Sequence, residues 1–260
     1  MRKAIVAWLA AVLLVASTAP VVAITYGEKT GPDYGNVGSM VLKIEGQYYQ
    51  ACTGTLIRHG VFLTAAHCLV GIPDDWGVYV TFRPDLEGAK DADMIPIVGE
   101  PVWHPSFGKD MANLYDLGAL RFDVDASKGI PLATVAPVDY LSTMDKRDRR
   151  NGTYTAVGYG TIRVSRKTGP QGILDNTARR YGTQSFRSLQ KAWLTLAMNE
   201  TTGDSGTCYG DSGGPHFLNG LIVSLTVTGD AMCKATDKTY RVDRAWVHEW
   251  LKAEKLLPGT

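Results

Sequence analysis

The sequence predicts an all-β protein closed by a single C-terminal helix. Short apolar runs with β-branched residues recur along the chain, as in Val41-Leu42-Lys43-Ile44, Val61-Phe62-Leu63-Thr64, Val78-Tyr79-Val80-Thr81 and Leu221-Ile222-Val223-Ser224-Leu225. Gly, Pro and Asp turns separate them, and 28 glycines in 260 residues suffice for many tight reversals, the pattern of a sandwich or barrel. Near the end, Trp246, Val247, Trp250 and Leu251 fall at helical spacing between charges, which predicts one amphipathic helix over residues 244–255.

The front of the chain reads as a secretion signal. Met1-Arg2-Lys3 supplies a positive start, residues 4–15 an apolar core, and Val21 and Ala23 the small residues before a cleavage site. An uncleaved membrane anchor is the competing reading, since about 20 apolar residues span a bilayer, but Ser17, Thr18 and Pro20 interrupt the run. A cut after Ala23 makes Ile24 the mature N-terminus and sends the chain outside the cell, with no membrane association afterwards. Lys and Arg total 27 against 26 acids, and loss of Arg2 and Lys3 keeps the charge near zero. Such a balance gives no electrostatic case for nucleic acid or an anionic membrane as partner. A hydrophobic content of 45% speaks against disorder.

Cys52, Cys68, Cys208 and Cys233 form two local pairs in a chain bound for an oxidising compartment, so disulfides 52–68 and 208–233 are expected. Four cysteines allow three pairings, and zinc is the rival use, but no CxxC or HxxxH spacing supports a metal. Residues 137–151 are polar and charge-dense, a connector between halves, while residues 163–187 read as an exposed basic loop. Asn151-Gly152-Thr153 and Asn199-Glu200-Thr201 fit the glycosylation pattern.

The strongest chemical signal is Tyr209-Gly210-Asp211-Ser212-Gly213-Gly214-Pro215, a serine between glycines that permit unusual backbone angles. A serine is a poor nucleophile until a base takes its proton. Of the five histidines, His67 stands out in Thr64-Ala65-Ala66-His67-Cys68, at the end of an apolar run and beside a cysteine that can pin it. His59, His104, His216 and His248 have no such setting and read as surface or packing imidazoles. Between His67 and Ser212 comes Tyr115-Asp116-Leu117-Gly118-Ala119-Leu120, an aspartate followed at once by an apolar stretch, as for a carboxylate carried into a buried place.

Taken together, TAAHC, YDLGAL and GDSGGP, in the order His, Asp, Ser, resemble the secreted serine peptidases of the chymotrypsin and trypsin family. The similarity extends through ACTGTLI, WHPSF, TAVGYGT, IVSL and the terminal helix, over nearly all of residues 24–255. It implies two antiparallel six-stranded β-barrels, residues 24–140 carrying His67 and Asp116, and residues 141–260 carrying Ser212 and the helix. It also implies roles: Ser212 attacks the scissile carbonyl, His67 takes its proton, and Asp116 holds the imidazole tautomer. The backbone N–H groups of Gly210 and Ser212 would form an oxyanion hole, worth roughly 3 to 4 kcal/mol per donor. In this family a free N-terminal isoleucine folds inward and pairs with the aspartate before the serine, here Ile24 with Asp211. Signal peptidase itself would then create the active terminus, with no zymogen stage.

Six positions before the serine, at the pocket base, stands Gly206 where trypsin-like members have aspartate, so Arg or Lys cleavage is not expected. Asp204 lies near enough to keep that alternative open. The wall reads Ser224-Leu225-Thr226, and Thr226 would narrow the mouth in favour of small apolar side chains. Lys238, if its ammonium entered the pocket, would instead favour acidic ones. Protein or peptide substrates and a protein inhibitor are the partners expected of a monomer, and no metal or cofactor is implied. Two rivals remain. An α/β-hydrolase esterase is suggested by G-x-S-x-G with Asp243 and His248 following, although Gly213-Gly214-Pro215 cannot readily open a helix. A binding module on an inactive peptidase scaffold is the other.

Overall fold

The computed structural model describes residues 24–163 and 169–259; the predicted signal, residues 1–23, and part of the basic stretch lie outside the described residues. The expected apolar runs are strands because tight turns reverse the chain between them. Ile44 and Gln47 face each other across Glu45-Gly46, whose φ angles of 49° and 82° make the two-residue turn that matches strand twist. Asn219-Gly220, at 52° and 78°, does the same between Pro215–Leu218 and Leu221–Gly229.

Two curled antiparallel sheets result. The first runs in the order Ile95–Pro96, Gly77–Thr81, Val37–Ile44, Gln47–Arg58, Val61–Thr64, Gly118–Arg121 and Val102–Trp103. The second runs Glu28–Lys29, Arg180–Gln184, Tyr154–Gly158, Pro215–Leu218, Leu221–Gly229, Thr236–Arg241, Trp193–Ala197 and Phe186–Leu189. A ninth strand, Thr134–Val135, joins Leu221–Gly229 in parallel. Relative to six strands per barrel, the extra members are mostly two-residue pieces, and Pro96, which lacks an N–H, sits in an edge strand where that costs no ladder bond.

The first barrel is closed around Phe62, which is fully buried. Its ring lies over the facing pair Gly38 and Gly54, and a Cβ on Gly54 would stand 2.4 Å from it. Phe62→Ala should therefore cost about 3–5 kcal/mol, read as a lowered thermal midpoint. The largest apolar cluster crosses between the sheets, joining Val37, Ile57 and Leu117 to Val157, Leu225 and Tyr240. The helix Ala245–Ala253 lays Val247, Trp250 and Leu251 on that cluster, as their spacing predicts.

Two regions depart from the sequence reading. The connector holds two short helices, Tyr140–Thr143 and Lys146–Asn151, the second begun by the Asp145 carboxylate accepting from Arg147 N–H at 2.7 Å. The basic stretch is not an exposed loop throughout: Arg180–Gln184 is a central strand, and Arg163, Arg179 and Arg180 are buried. Their charge suggested solvent, whereas the pairing of Arg180 with Gly158 and of Arg163 with Ile173, and the bond from Arg179 N–H to Pro84 O, hold them inside.

Candidate active site

His67 sits in the short 3-10 helix Ala66–Cys68, directly after Val61–Thr64. The Cys52–Cys68 disulfide ties that helix to Gln47–Arg58. Asp116 reaches it from the start of the neighbouring strand, Gly118–Arg121, through a kink in which Tyr115 takes a left-handed φ of 54°. Gly118 makes the approach possible, since a Cβ there would lie 2.6 Å from Leu69. His104, of the WHPSF stretch, stacks on Tyr115 at 4.5 Å between ring centroids and supports the kink.

Asp116 is fully buried and holds His67 twice: Oδ1 accepts the His67 backbone N–H at 2.9 Å, and Oδ2 lies 2.6 Å from Nδ1. An ionised carboxylate only accepts, so Nδ1 carries the proton and Nε2 keeps its lone pair. That is the tautomer a general base needs. Cys52, His67 and Cys68 cluster closely, but the disulfide occupies both sulfurs and leaves no thiolate for a metal.

Ser212 lies in a loop pressed against the first sheet. Thr53 N–H donates to Ser212 O at 2.9 Å, and Gly213 N–H to Thr226 O at 2.8 Å. Gly213 has a φ of 77°, and a Cβ there would stand 2.1 Å from Thr64 Oγ1 and 2.7 Å from Ala65 N. This contact brings the serine loop against the residues just before His67. No hydrogen bond joins Ser212 Oγ to His67 Nε2 in this structure; such bonds often tighten only when substrate is bound. Gly213→Ala should push the serine loop off Thr64, and a displacement near 1 Å can cost ~10²-fold in rate. The expected result is slowed acylation of Ser212 in a protein with near-parental circular dichroism.

The serine loop contains the Gly210 and Ser212 amides. Tyr209 O accepts from Thr161 N–H at 2.7 Å, which fixes the Tyr209–Gly210 peptide and turns the Gly210 N–H, trans to that carbonyl, the other way. Gly210 O is gripped in turn by Gln50 Nε2 at 2.9 Å and Thr53 Oγ1 at 3.0 Å, both from the first sheet. Among the described residues, neither Gly210 N–H nor Ser212 N–H has a hydrogen-bond partner.

Behind this loop Asp211 is fully buried, accepting from Gly160 N–H at 2.7 Å and Cys208 N–H at 2.8 Å. Burial pushes its carboxyl up to about 7, the two amides pulling the other way. Glycine is required at 158, where a Cβ would lie 2.1 Å from Asp211 Oδ1. Ile24 is also buried, its Cγ2 close against Gly182, and Thr25 bridges to Gly206. Gly158 pairs with Arg180, and Ala156 with Gly182, so Asp211 and Ile24 lie on the same face of one ladder. They are one two-residue step apart, about 7 Å along the strand.

A cleft of about 280 Å³ opens beside Ser212, lined among others by Thr207, Thr226, Gly229, Asp230 and Ala231. The Cys208–Cys233 disulfide joins its walls. The anticipated pocket residues part company here. Thr226 lines the cleft, whereas Gly206 turns its Cα against Met198, where a Cβ would lie 2.7 Å from the sulfur. Leu225 is in the core, and Ser224 Oγ accepts from Thr239 at 2.8 Å. Lys238 lies over the Trp193 ring, 4.4 Å from its centroid.

Several neighbours carried no local signal in the sequence. Thr207 Oγ1 donates to Asp237 Oδ2 at 2.7 Å, and the same oxygen takes Gln184 Nε2 at 2.9 Å and lies 3.0 Å from His216 Nε2. His216, read as a packing imidazole, is thus part of a buried polar cluster behind the cleft. Asp237 and His216 stand 21 residues apart, a pairing only the sheet creates. Asp230, in the cleft wall, spends its carboxylate on the N–H groups of Lys234, Ala235 and Thr236.

Set beside known proteins, residues 30–247 match the family model described as Trypsin. A venom plasminogen activator, Haly-PA, of Gloydius brevicauda is 28% identical over 211 residues, covering 78% of this chain and 76% of its own. Human kallikrein-2 is 28% identical over 204 residues, 72% of this chain and 73% of its own. Among solved structures, neuropsin, a serine protease expressed in the limbic system of mouse brain, superposes with a TM-score of 0.64 at 17% identity. The match covers 89% of this chain and 99% of neuropsin.

Proposed function

The chain belongs to the trypsin family and is a serine endopeptidase, and from that premise we propose that Ser212, His67 and Asp116 are its nucleophile, its base and the carboxylate that orients the base. The carrying observation is the double grip of Asp116 on His67, which leaves Nε2 as acceptor beside the serine loop. In the acylation step His67 Nε2 takes the Ser212 proton as Oγ bonds to the scissile carbonyl carbon. Negative charge moves to the carbonyl oxygen, where the unpartnered N–H groups of Gly210 and Ser212 receive it. Collapse breaks the C–N bond, the His67 proton leaves with the amine, and water repeats the sequence to free the acid.

Asp211 supports a second part of the reading. A carboxyl driven to about 7 by burial needs a cation to stay ionised at neutral pH, and Ile24 is the neighbouring segment on its ladder face. A mature chain beginning at Ile24 brings its α-ammonium there, and the pair shapes the loop that presents Gly210 and Ser212. Cleavage after Ala23 and export are consistent with the two disulfides, and among the described residues no helix is long and apolar enough to cross a membrane.

Enzymes of this family act on protein and peptide substrates. Selectivity here is read as excluding Arg and Lys, because the base position offers glycine and Asp230 is consumed by backbone amides. Small apolar side chains beside Thr226 fit best. The position of Lys238 over Trp193 disfavours the acidic alternative. A protein inhibitor and a monomeric state complete the reading. Hydrolysis of a peptide library tests it: cleavage after small apolar residues, lost on prior serine acylation, is expected. Cleavage confined to Arg and Lys would overturn the selectivity, and no cleavage with unlabelled Ser212 the catalytic assignment.

A further inference from the structure

We propose that Arg179 is a positioning residue that holds the N-terminal segment in the register from which Ile24 reaches Asp211; this rests on the reading of Ile24 and Asp211 given above. Arg179 is 1% exposed. Its Nε donates to Thr30 Oγ1 at 3.0 Å, Nη2 to Gly31 O at 3.2 Å and Asp33 O at 3.0 Å, and Nη1 to Val37 O at 3.0 Å and Phe82 O at 3.1 Å. A longer contact of 3.4 Å from Nη1 reaches Tyr159 Oη. The backbone adds Thr30 N–H to Arg179 O at 3.1 Å and Arg179 N–H to Pro84 O at 2.8 Å.

Arginine stays charged, and burying a charge is costly unless every donor is satisfied. Here the five N–H groups meet only neutral oxygens; among the described residues no carboxylate pairs with them. Packing alone does not call for this arrangement, since an apolar chain of similar volume is often as stable in place of a buried charge. What the fork supplies is direction: it gathers three carbonyl or hydroxyl oxygens of residues 30–33, one carbonyl of the first sheet and one just past its strand Gly77–Thr81 at one point.

That point is the start of the strand Arg180–Gln184. Lys29 and Glu28 pair along it with Arg180 and Tyr181; residues 24–27 lie beyond that pairing, and Ile24 Cγ2 packs against the next strand position, Gly182. Three consecutive positions of one strand, 180–182, therefore link the arginine grip to the contact with Ile24. The same guanidinium touches Tyr159, whose successor Gly160 donates to Asp211. Both halves of the expected ion pair are thus registered from Arg179. The charged and titratable groups around it are Tyr159, Arg83, Arg180 and Asp85, and those facing the Ile24 site are Asp211 and, behind it, Asp237.

The test uses the secreted protein beginning at Ile24, with Arg179→Met, Arg179→Lys and Thr30→Val, and follows kcat and KM through the alkaline limb together with acetylation of the Ile24 amine. A tenfold loss of the docked terminus lowers the pH of the alkaline limb by about one unit. The expected result for Arg179→Met is a shift of that size with faster acetylation, and smaller shifts in the same direction for the other two. Should the methionine variant not fold, the lysine and valine variants decide alone. A lowered thermal midpoint with an unmoved limb and parental acetylation overturns the proposal. If acetylating Ile24 in the parent leaves activity unchanged, the ion-pair reading fails first and takes the proposal with it.

Discussion

Ser212→Ala leaves a folded protein whose peptidase rate falls on the order of 10⁴- to 10⁶-fold. The loop is held by backbone bonds and glycine contacts that do not involve the hydroxyl, such as Thr53 N–H to Ser212 O, so the melting curve should stay near that of the parent. His67→Ala should cost about as much, and the double variant little more, because the two groups serve one proton transfer. Asp116→Asn is the sharper probe. Its oxygen can still accept the His67 backbone N–H, but an amide facing Nδ1 donates, which favours the tautomer with the proton on Nε2. A loss of about 10⁴-fold in kcat is expected, measured with a fluorogenic peptide. Near-parental rates in any of the three would remove the assignment.

Blocking Ile24, by acetylation or by one added residue, has the next largest effect. An uncompensated buried charge costs about 3–5 kcal/mol, so activity should drop on the order of 10²- to 10³-fold. The pH dependence separates this from general damage. In the parent, pairing raises the amine's pKa above about 7.7 to 8, so the active state is present at lower pH and fades as pH rises through the raised value. In the blocked chain Asp211 has no cation, and its carboxyl, pushed up to about 7 by burial, favours the folded state only while protonated. Its contribution is full below the ordinary carboxylate range and is lost as pH rises through about 7. Thermal midpoints of the blocked chain should therefore decline across that interval, while the parent holds its stability until the amine deprotonates.

The parts of the site legible in the sequence are those whose chemistry is local. TAAHC, YDLGAL and GDSGGP each combine a reactive residue with the glycine or cysteine that positions it: Cys68 pins the His67 helix, Gly118 lets Asp116 approach, and Gly213 lets the serine loop meet Thr64. Strands such as Val61–Thr64, and the terminal helix, were legible for the same reason, their periodicity being complete within a few residues.

What periodicity cannot carry is a contact made across the sheets. Gly158 and Gly182 are ordinary strand glycines in the sequence, yet each vacates space, for Asp211 and for Ile24 with Ser205. Arg179 looked solvent-bound because its acceptors are carbonyls and hydroxyls from segments up to 149 residues away. His216 acquires Asp237, and Lys238 acquires Trp193, only through pairing between strands. Burial of polar side chains was therefore underestimated wherever the partner was backbone or distant.

The most direct measurement is intact mass and peptide mapping of the secreted protein after exposure to a fluorophosphonate. The expected result is a chain beginning at Ile24 that carries one label, on Ser212, with labelling slowed as the amine of Ile24 is acetylated. A chain beginning at Ile24 that takes no label on Ser212 would contradict the assembled Ser212, His67 and Asp116 site.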